Sequence, residues 1–289
     1  MTSAMAETPK DCPCPSCGNI IIDRFCSHCG EERLRPELRG VAHLVRQLLE
    51  DLTSVDGKIG STLKLILFKP GQFELNYFCG RRVDFLKPIT FFLLINVLYV
   101  MFSPITDFYV SFVDQLTMQP YSPWIAPWVK QQIAALGYTL QEFQSYYDQL
   151  VKVLARSLII IQVPIFALLS YLICFRREYY FADYLIFSLN FHAWLLIWII
   201  VAQLPAWLIV TLADWVGLRE WVSGIYFLLL PLGLIAYLAI AMHRFWQFRW
   251  WSLLLRLVAL VAAFQIAHSC YRLIQFYITF YMVQVPDIG

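Results

Sequence analysis

The stretch that decides the fold is "NYFCGRRVDFLKPITFFLLINVLYV", which covers residues 76–100. It begins with an aromatic turn and a pair of arginines, passes through Lys87-Pro88, and then becomes almost wholly apolar. A proline fits the first turn of a helix, because the N–H it lacks has no partner there. The stretch therefore predicts a helix that enters a membrane. Arg81, Arg82 and Lys87 form its predicted membrane anchor, because basic side chains bind anionic lipid on the cytoplasmic side.

The arginine pair has a second interpretation, because anchoring needs only positive charge. An arginine also offers a planar fork of donors that binds a carboxylate or phosphate with two parallel hydrogen bonds, which lysine does not. A specific anionic partner for Arg81 and Arg82 therefore stays open. Gly80 lies just before the pair and permits a sharp turn into the membrane helix.

The composition extends the membrane prediction to the whole chain. Of 289 residues, 60% are hydrophobic, 17% are aromatic and only 15% are charged, whereas an average soluble domain is about 25% charged. A membrane helix needs about 20 apolar residues. We predict an all-α multi-pass membrane protein with a small N-terminal zinc-ribbon module and about five transmembrane helices, at 88–105, 154–175, 184–212, 224–243 and 252–281.

The distribution of basic residues sets the predicted orientation. More than half of the 22 lysines and arginines precede the first span, and the turns after the second and fourth spans are also basic. We therefore expect a bacterial inner-membrane protein with a cytoplasmic N-terminus and a periplasmic C-terminus. Arg256 and Arg272 fall inside the last span. An alternative is that residues 252–281 form a surface helix, which would leave four spans and a cytoplasmic tail.

The strongest chemical signal is "CPCPSCGNIIIDRFCSHCGEE" near the N-terminus. It contains two Cys-x-x-Cys pairs, each followed by glycine, and two such pairs supply four thiolates for a tetrahedral zinc ion. The predicted ligands close the site, so we expect the zinc to be structural; they are Cys14, Cys17, Cys26 and Cys29. Two disulfides are the alternative, which a cytoplasmic location disfavours. Cys12, His28 and Cys79 receive no role.

The chain divides into three predicted regions. Residues 1–36 form the cytoplasmic zinc ribbon, residues 37–87 form amphipathic helices on the cytoplasmic membrane surface, and residues 88–289 form the transmembrane domain. An external segment at 106–153 interrupts this last region. Within it, Thr139 and Glu142 fit a capping box at the start of an amphipathic helix.

These motifs resemble a bacterial family of integral membrane proteins of unknown function. Members of that family carry a zinc-ribbon start of the form "CPxCG…FCxxCG" and a conserved core. In this chain the corresponding core is "LFKPGQF" at 67–73 and "YFCGRRVDFLKPITFFLLINVLY" at 77–99. The resemblance covers residues 14–100. It implies a zinc ribbon followed by a series of membrane spans, and it implies no activity.

Polar residues inside the predicted last span form a stripe. Its members fall within an arc of about 80° on a helix, and they are Gln265, His268, Arg272 and Gln275. Such a stripe faces the helix bundle, a cavity or another subunit. Hydrogen bonding between helices is the first interpretation, a polar path for a solute is the second, and an enzyme acting on lipid head groups is the third.

No catalytic residue is assigned. No carboxylate lies within a predicted span, and the chain has no P-loop, Rossmann glycine run or serine-nucleophile elbow. Our hypothesis is a non-enzymatic scaffold or accessory factor whose zinc ribbon contacts a cytoplasmic protein. The alternative is a small-solute transporter or channel that uses the polar stripe. Acidic and basic residues alternate around the ribbon, which disfavours nucleic acid; membrane lipids are expected partners, and an oligomer is left open.

Overall fold

The computed structural model describes residues 12–22, 25–33, 58–102, 109–216 and 219–284. For residues 203–230 it describes the backbone only. Within these ranges the chain is mostly helical, and a two-stranded antiparallel hairpin lies near the N-terminus. Residues 37–57 of the predicted amphipathic region lie outside the described residues.

The elements follow one another in a simple order. Strands β1 and β2 form the hairpin of the cysteine-rich module, and ten helices follow among the described residues. Their bounds are β1 (Cys12–Pro13), β2 (Ile20–Ile21), α1 (Lys58–Phe68), α2 (Gln72–Phe78), α3 (Pro88–Phe102), α4 (Phe112–Thr117), α5 (Ser122–Ala135), α6 (Leu140–Ser157), α7 (Gln162–Ile173), α8 (Phe181–Val216), α9 (Arg219–Trp246) and α10 (Trp250–Val283). A short 3₁₀ turn at Leu158–Ile161 joins α6 to α7.

Two helical segments in the described part of the chain are long and apolar enough to cross a membrane. They are Phe181–Ala202 within α8 and the whole of α10. Helix α3 and the segment Leu158–Ile173 are apolar but shorter. The 15 residues of α3 span about 22 Å at 1.5 Å per residue, whereas the hydrocarbon core of a bilayer is about 30 Å thick. The prediction of about five transmembrane helices is therefore not supported, although the mostly helical fold agrees with the prediction.

Helices α1 and α2 form a short hairpin that packs against the long helices. The turn between them is Lys69-Pro70-Gly71, and Arg244 of α9 donates a hydrogen bond from Nη1 to the carbonyl oxygen of Pro70 at 2.7 Å. At the far end of α2, the ring of Phe78 lies 4.6 Å from the ring of Tyr179. The hairpin is thus held against the long helices at both ends of α2.

The basic turns lie together at one end of the helix bundle. Tyr179, in the turn before α8, donates a hydrogen bond to the carbonyl oxygen of Phe245 near the end of α9 at 3.1 Å. The guanidinium of Arg176 lies 4.9 Å over the ring of Phe248, which stands in the turn before α10. The turn before α8 therefore contacts the turn between α9 and α10.

Helices α4 to α6 pack on the C-terminal end of α10. The rings of Trp128 in α5 and Phe143 in α6 lie 5.1 Å and 4.9 Å from the ring of Phe280. The capping box at Thr139 is formed, since Glu142 returns a carboxylate to the Thr139 backbone N–H at 2.9 Å. The described part of the predicted external segment is therefore a helical cap on the end of α10.

Replacing Gly71 with alanine should destabilise the protein more than the same change at Gly137. Both glycines have left-handed φ angles, of +80° and +77°, but a Cβ at Gly71 would meet the carbonyl oxygen of Ala241 at 2.6 Å, and one at Gly137 would meet nothing within 4 Å. We expect Gly137→Ala to cost about 1 kcal/mol from the backbone angle alone, and Gly71→Ala about 3 kcal/mol or more. Thermal unfolding of the detergent-purified variants measures this difference, and equal losses would contradict the close packing of the turn.

Candidate functional site

Four cysteine sulfurs lie together in the N-terminal module. The Sγ atoms of Cys14, Cys17, Cys26 and Cys29 all lie within 4.8 Å of one another, and the Cys14–Cys29 and Cys17–Cys26 pairs are each 3.5 Å apart. Sulfurs about 2.3 Å from a tetrahedral zinc ion would be about 3.8 Å apart. The four thiols are free rather than joined as disulfides. The cluster therefore has the size and donor set of a metal site.

Two glycine turns shape this cluster. Gly18 and Gly30 have φ angles of +81° and +76°, and each returns its backbone N–H to the carbonyl of the first cysteine of its pair, at 2.9 Å and 2.8 Å. The local sequence is thus enough to build each knuckle, because a side chain at either glycine would strain the turn.

Hydrogen bonds from the backbone also act on the pKa values of the cysteine thiols. Hydrogen bonds from the backbone of Cys29 and His28 lower the pKa of Cys26 to about 6. The hydrogen bond from the Glu31 backbone lowers the pKa of Cys29, but burial and hydrogen bonds with the three other thiols together outweigh it and raise this pKa to about 12. Several thiolates at this spacing would repel one another. A bound divalent cation would offset this repulsion and favour the thiolate form of all four cysteines.

Glu31 joins the cysteine module to the turn before α3. It follows the second knuckle, and only 1% of its surface is exposed. Its Oε2 accepts hydrogen bonds from the Ser16 hydroxyl at 2.6 Å and from the backbone N–H groups of Arg82 and Val83 at 2.9 Å and 3.1 Å. One carboxylate therefore fastens both knuckles to the arginine-containing turn.

The predicted anchor residues contact this module and its surroundings. Arg81 donates a hydrogen bond from Nε to the carbonyl oxygen of Pro15. The guanidinium of Arg82 lies 4.5 Å over the ring of Tyr77, and only its backbone N–H reaches the Glu31 carboxylate. Lys87 lies directly before α3 and is half-buried. The arginine pair thus has protein partners beyond any contact with lipid.

The members of the predicted polar stripe on α10 have different surroundings. Gln265 is exposed. His268 Nδ1 lies 3.3 Å from Gln162 Oε1 of α7, and Arg272 donates from Nη1 to Gln119 Oε1 at 3.3 Å. Gln275 is fully buried, and neither polar atom of its amide has a hydrogen-bond partner. The structure therefore turns three of the four residues toward other parts of the protein.

A buried carboxyl group was missed by the sequence analysis. Glu74 of α2 is 3% exposed, and its Oε1 accepts a hydrogen bond from Asn190 Nδ2 of α8 at 3.0 Å. Burial raises the pKa of Glu74 to about 7, against the hydrogen bond from its own backbone, that from Asn190 and the charge of Arg244. A sequence signal was present, since Glu74 shares its helix face with the aromatic residues Phe73 and Tyr77, which are also buried.

The comparisons with known proteins match one part of the chain. A family described as "Protein of unknown function (DUF3667)" matches residues 56–100. No curated protein and no solved structure matches the chain. The matched segment contains α1, α2 with Glu74, the arginine turn and nearly all of α3, and it does not contain the cysteine module. The match agrees with an unknown activity, and it overlaps residues 67–99 of the expected resemblance without confirming the individual motifs.

Replacing Glu31 with alanine should free the turn before α3 without disturbing the four-cysteine cluster. Hydrogen bonds to a charged acceptor contribute about 1.5–3 kcal/mol, so we expect amide hydrogen exchange at Arg82 and Val83 to accelerate about 10- to 100-fold. The metal content of the purified protein should stay at that of the wild type, because Glu31 is not one of the four clustered cysteines. The exposed Glu178 supplies a control as Glu178→Ala, which should leave both readouts unchanged. Unaltered exchange in Glu31→Ala would contradict the proposed fastening.

Replacing Glu74 with glutamine should flatten the dependence of stability on pH. The unfolded carboxyl loses its proton near pH 4.5, whereas the folded one keeps it until about pH 7. The folded state therefore binds more protons in this window, and the free energy of unfolding should fall as the pH rises through it, by on the order of 3 kcal/mol. Denaturant unfolding at several pH values compares wild type, Glu74→Gln and the exposed control Glu178→Gln. A wild-type slope in Glu74→Gln would show that Glu74 is not the group responsible.

Proposed function

We propose that the protein is a bacterial inner-membrane protein that acts as a non-enzymatic scaffold or accessory factor. Its zinc ribbon would bind a cytoplasmic protein. The observation that carries this proposal is a group of exposed apolar side chains on the cysteine module. Ile20, Ile22 and Phe25 are 58%, 81% and 51% exposed, although the module is fixed to the turn before α3 through Glu31. Apolar side chains held rigidly in water are typical of a protein contact surface.

Membrane insertion is supported by the outward face of α10. The core helix of a soluble protein buries its large apolar residues, yet α10 exposes Trp251, Leu255, Val258 and Ile266 along its length. Two segments of sufficient length for a membrane and an exposed apolar face on one of them fit lipid contact better than water contact. In the proposed arrangement α9 also crosses the membrane, and the shorter α3 and Leu158–Ile173 complete the five spans.

The proposed orientation places the cysteine module and the basic turns in the cytoplasm. The turn with Arg81 and Arg82, the turn with Arg176 and the turn before α10 belong to one connected group of contacts through Phe78, Tyr179 and Phe245. Clustering of basic turns at one end of a helix bundle is what the positive-inside rule requires. The cap formed by α4 to α6 would then lie in the periplasm, with the C-terminus.

The proposed metal is zinc, bound by the four clustered cysteines. Four thiolates fill a tetrahedral shell and leave no coordination position for substrate or water. The zinc would hold the two knuckles together and so present Ile22 and Phe25 at fixed positions. In this proposal the metal contributes folding energy and has no catalytic step.

Photo-crosslinking in intact cells tests the scaffold and its orientation together. A photoreactive residue at Ile22 in the full-length protein should crosslink to one defined cytoplasmic protein, and the same residue at Ser27, exposed on the second knuckle, serves as the matched control. We expect the crosslink to disappear in Cys14→Ser/Cys26→Ser, which should also lose its zinc by direct metal analysis while remaining in the membrane. Crosslinks to lipid or periplasmic proteins alone, or a crosslink that survives zinc loss, would refute the proposal.

A small-solute transporter is the second candidate, and the Glu74–Asn190 pair favours it. No carboxylate lies within a predicted span, but Glu74 reaches Asn190 in α8 from the neighbouring hairpin. A buried carboxyl group with a pKa near neutrality is a usual part of a proton-coupled transporter. Proton flux into vesicles reconstituted with wild type, and its loss in Glu74→Gln, would favour transport; equal, background flux in both would leave the scaffold as the better account.

A further inference from the structure

The outward face of α10 carries a polar amide among apolar side chains. Gln265 is exposed, and Val258 and Ile266 beside it are 64% and 54% exposed. At 100° per residue these three side chains fall within an arc of about 100°. The buried residues Leu260 and Ala267 lie on the opposite side of the helix. The Gln265 amide therefore projects away from the helix bundle.

Gln265 also lies near the middle of this long apolar helix. It follows Trp250 by 15 residues and precedes Val283 by 18, which correspond to about 22 Å and about 27 Å. The hydrocarbon core of a bilayer is about 30 Å thick. The inference rests on the proposed membrane insertion of α10, because in that arrangement the Gln265 amide lies in hydrocarbon, far from water at either end.

The protein supplies no partner for this amide within the ranges that the structure describes. Ser269, one turn later, donates its hydroxyl hydrogen to the Gln265 carbonyl oxygen at 3.0 Å, so the Ser269 hydroxyl is satisfied inside its own helix. The Gln265 side chain makes no hydrogen bond to any described residue. An amide without partners in hydrocarbon is unfavourable, and lipid chains offer neither a donor nor an acceptor.

A second copy of the same helix matches the amide in hydrogen bonding and in shape. A glutamine side chain carries both a donor and an acceptor, and a two-fold axis brings identical residues of two copies together. Two Gln265 amides can therefore form two reciprocal N–H···O hydrogen bonds. Ala262 and Ser269 lie one turn to either side on the same face, and small residues of this kind let the backbones of two membrane helices approach closely.

We propose that the protein forms a homodimer in the membrane through the outward face of α10, with Gln265 paired to the same residue of a second copy. Ala262 and Ser269 lie at the point of closest approach between the two helices. The two-fold axis runs along the membrane normal, since both copies have one orientation. Both cysteine modules then lie on one side of the membrane, and the dimer offers two copies of the proposed contact surface.

Energy transfer between fluorescent copies of the full-length protein measures this pairing. Donor-labelled and acceptor-labelled proteins are reconstituted together in phosphatidylcholine vesicles at several protein-to-lipid ratios, with a reductant that keeps the exposed Cys270 as a thiol. We expect energy transfer in the wild type to follow a monomer–dimer equilibrium. In Gln265→Leu the dissociation constant should rise about 10-fold, since two interhelical hydrogen bonds are lost. Gln265→Asn is the matched control, because it keeps the amide, and it should dimerise far better than Gln265→Leu.

Two further measurements separate dimerisation from a role of Gln265 inside the fold. In nanodiscs that hold a single copy, Gln265→Leu should melt at a temperature no lower than the wild type, because leucine suits lipid better than an unpaired amide. Ala262→Leu keeps the amide but adds bulk at the closest approach, so it should weaken the dimer as well.

The proposal is overturned if the wild type stays monomeric at every protein density, or if Gln265→Leu dimerises as the wild type does. Either result would mean that lipid covers this face of α10 or that the copies meet elsewhere. Extraction of native membranes with alkaline carbonate distinguishes this failure from that of the proposed membrane insertion. A protein that stays in the membrane pellet yet remains monomeric refutes the dimer alone, whereas a protein that is released refutes both.

Discussion

The rest of the structure depends on the carboxylate of Glu31. Its Oε2 gathers three hydrogen bonds, one from the first knuckle and two from the backbone of the turn that leads into α3. A buried carboxylate needs such donors to offset its desolvation. The arrangement therefore fixes the orientation of the small cysteine module relative to the much larger helical domain. The donors at positions 82 and 83 are backbone N–H groups, which any residue except proline could supply.

The α1–α2 hairpin transmits this fixed position into the helical domain. Its turn packs against α9 at Ala241, and Glu74 of α2 is bonded to Asn190 of α8. The segment that matches the family of unknown function, residues 56–100, is thus the part of the chain that connects the cysteine module with the long helices. The similarity of this segment to the family is explained by helix packing and by the buried Glu74–Asn190 pair as readily as by a catalytic or transport activity.

Local features could be predicted from the sequence, and tertiary ones could not. The cysteine cluster follows from two Cys-x-x-Cys-Gly turns, and the capping box at Thr139 from two residues three positions apart, so each needs only its own few residues. The burial of Glu74 depends on Asn190, which is 116 positions away. The predicted number of membrane spans is not supported by the described helices, because the prediction used apolarity without helix length and α3 has only 15 residues. Hydropathy alone does not separate a short packed helix from a spanning one.

Helix α10 is a continuous mechanical connection between the two ends of the protein. It runs unbroken for 34 residues, or about 51 Å, from the basic turn at Arg249 to the aromatic cap around Phe280. Because a helix resists twisting, the direction in which Arg272 points around the helix axis is fixed relative to that of Leu253, near the opposite end. One inserted residue between them would rotate the two by about 100°. The cap and the basic turns are therefore connected by one continuous helix. A small rotation of α10 about its axis would move both ends of the protein together.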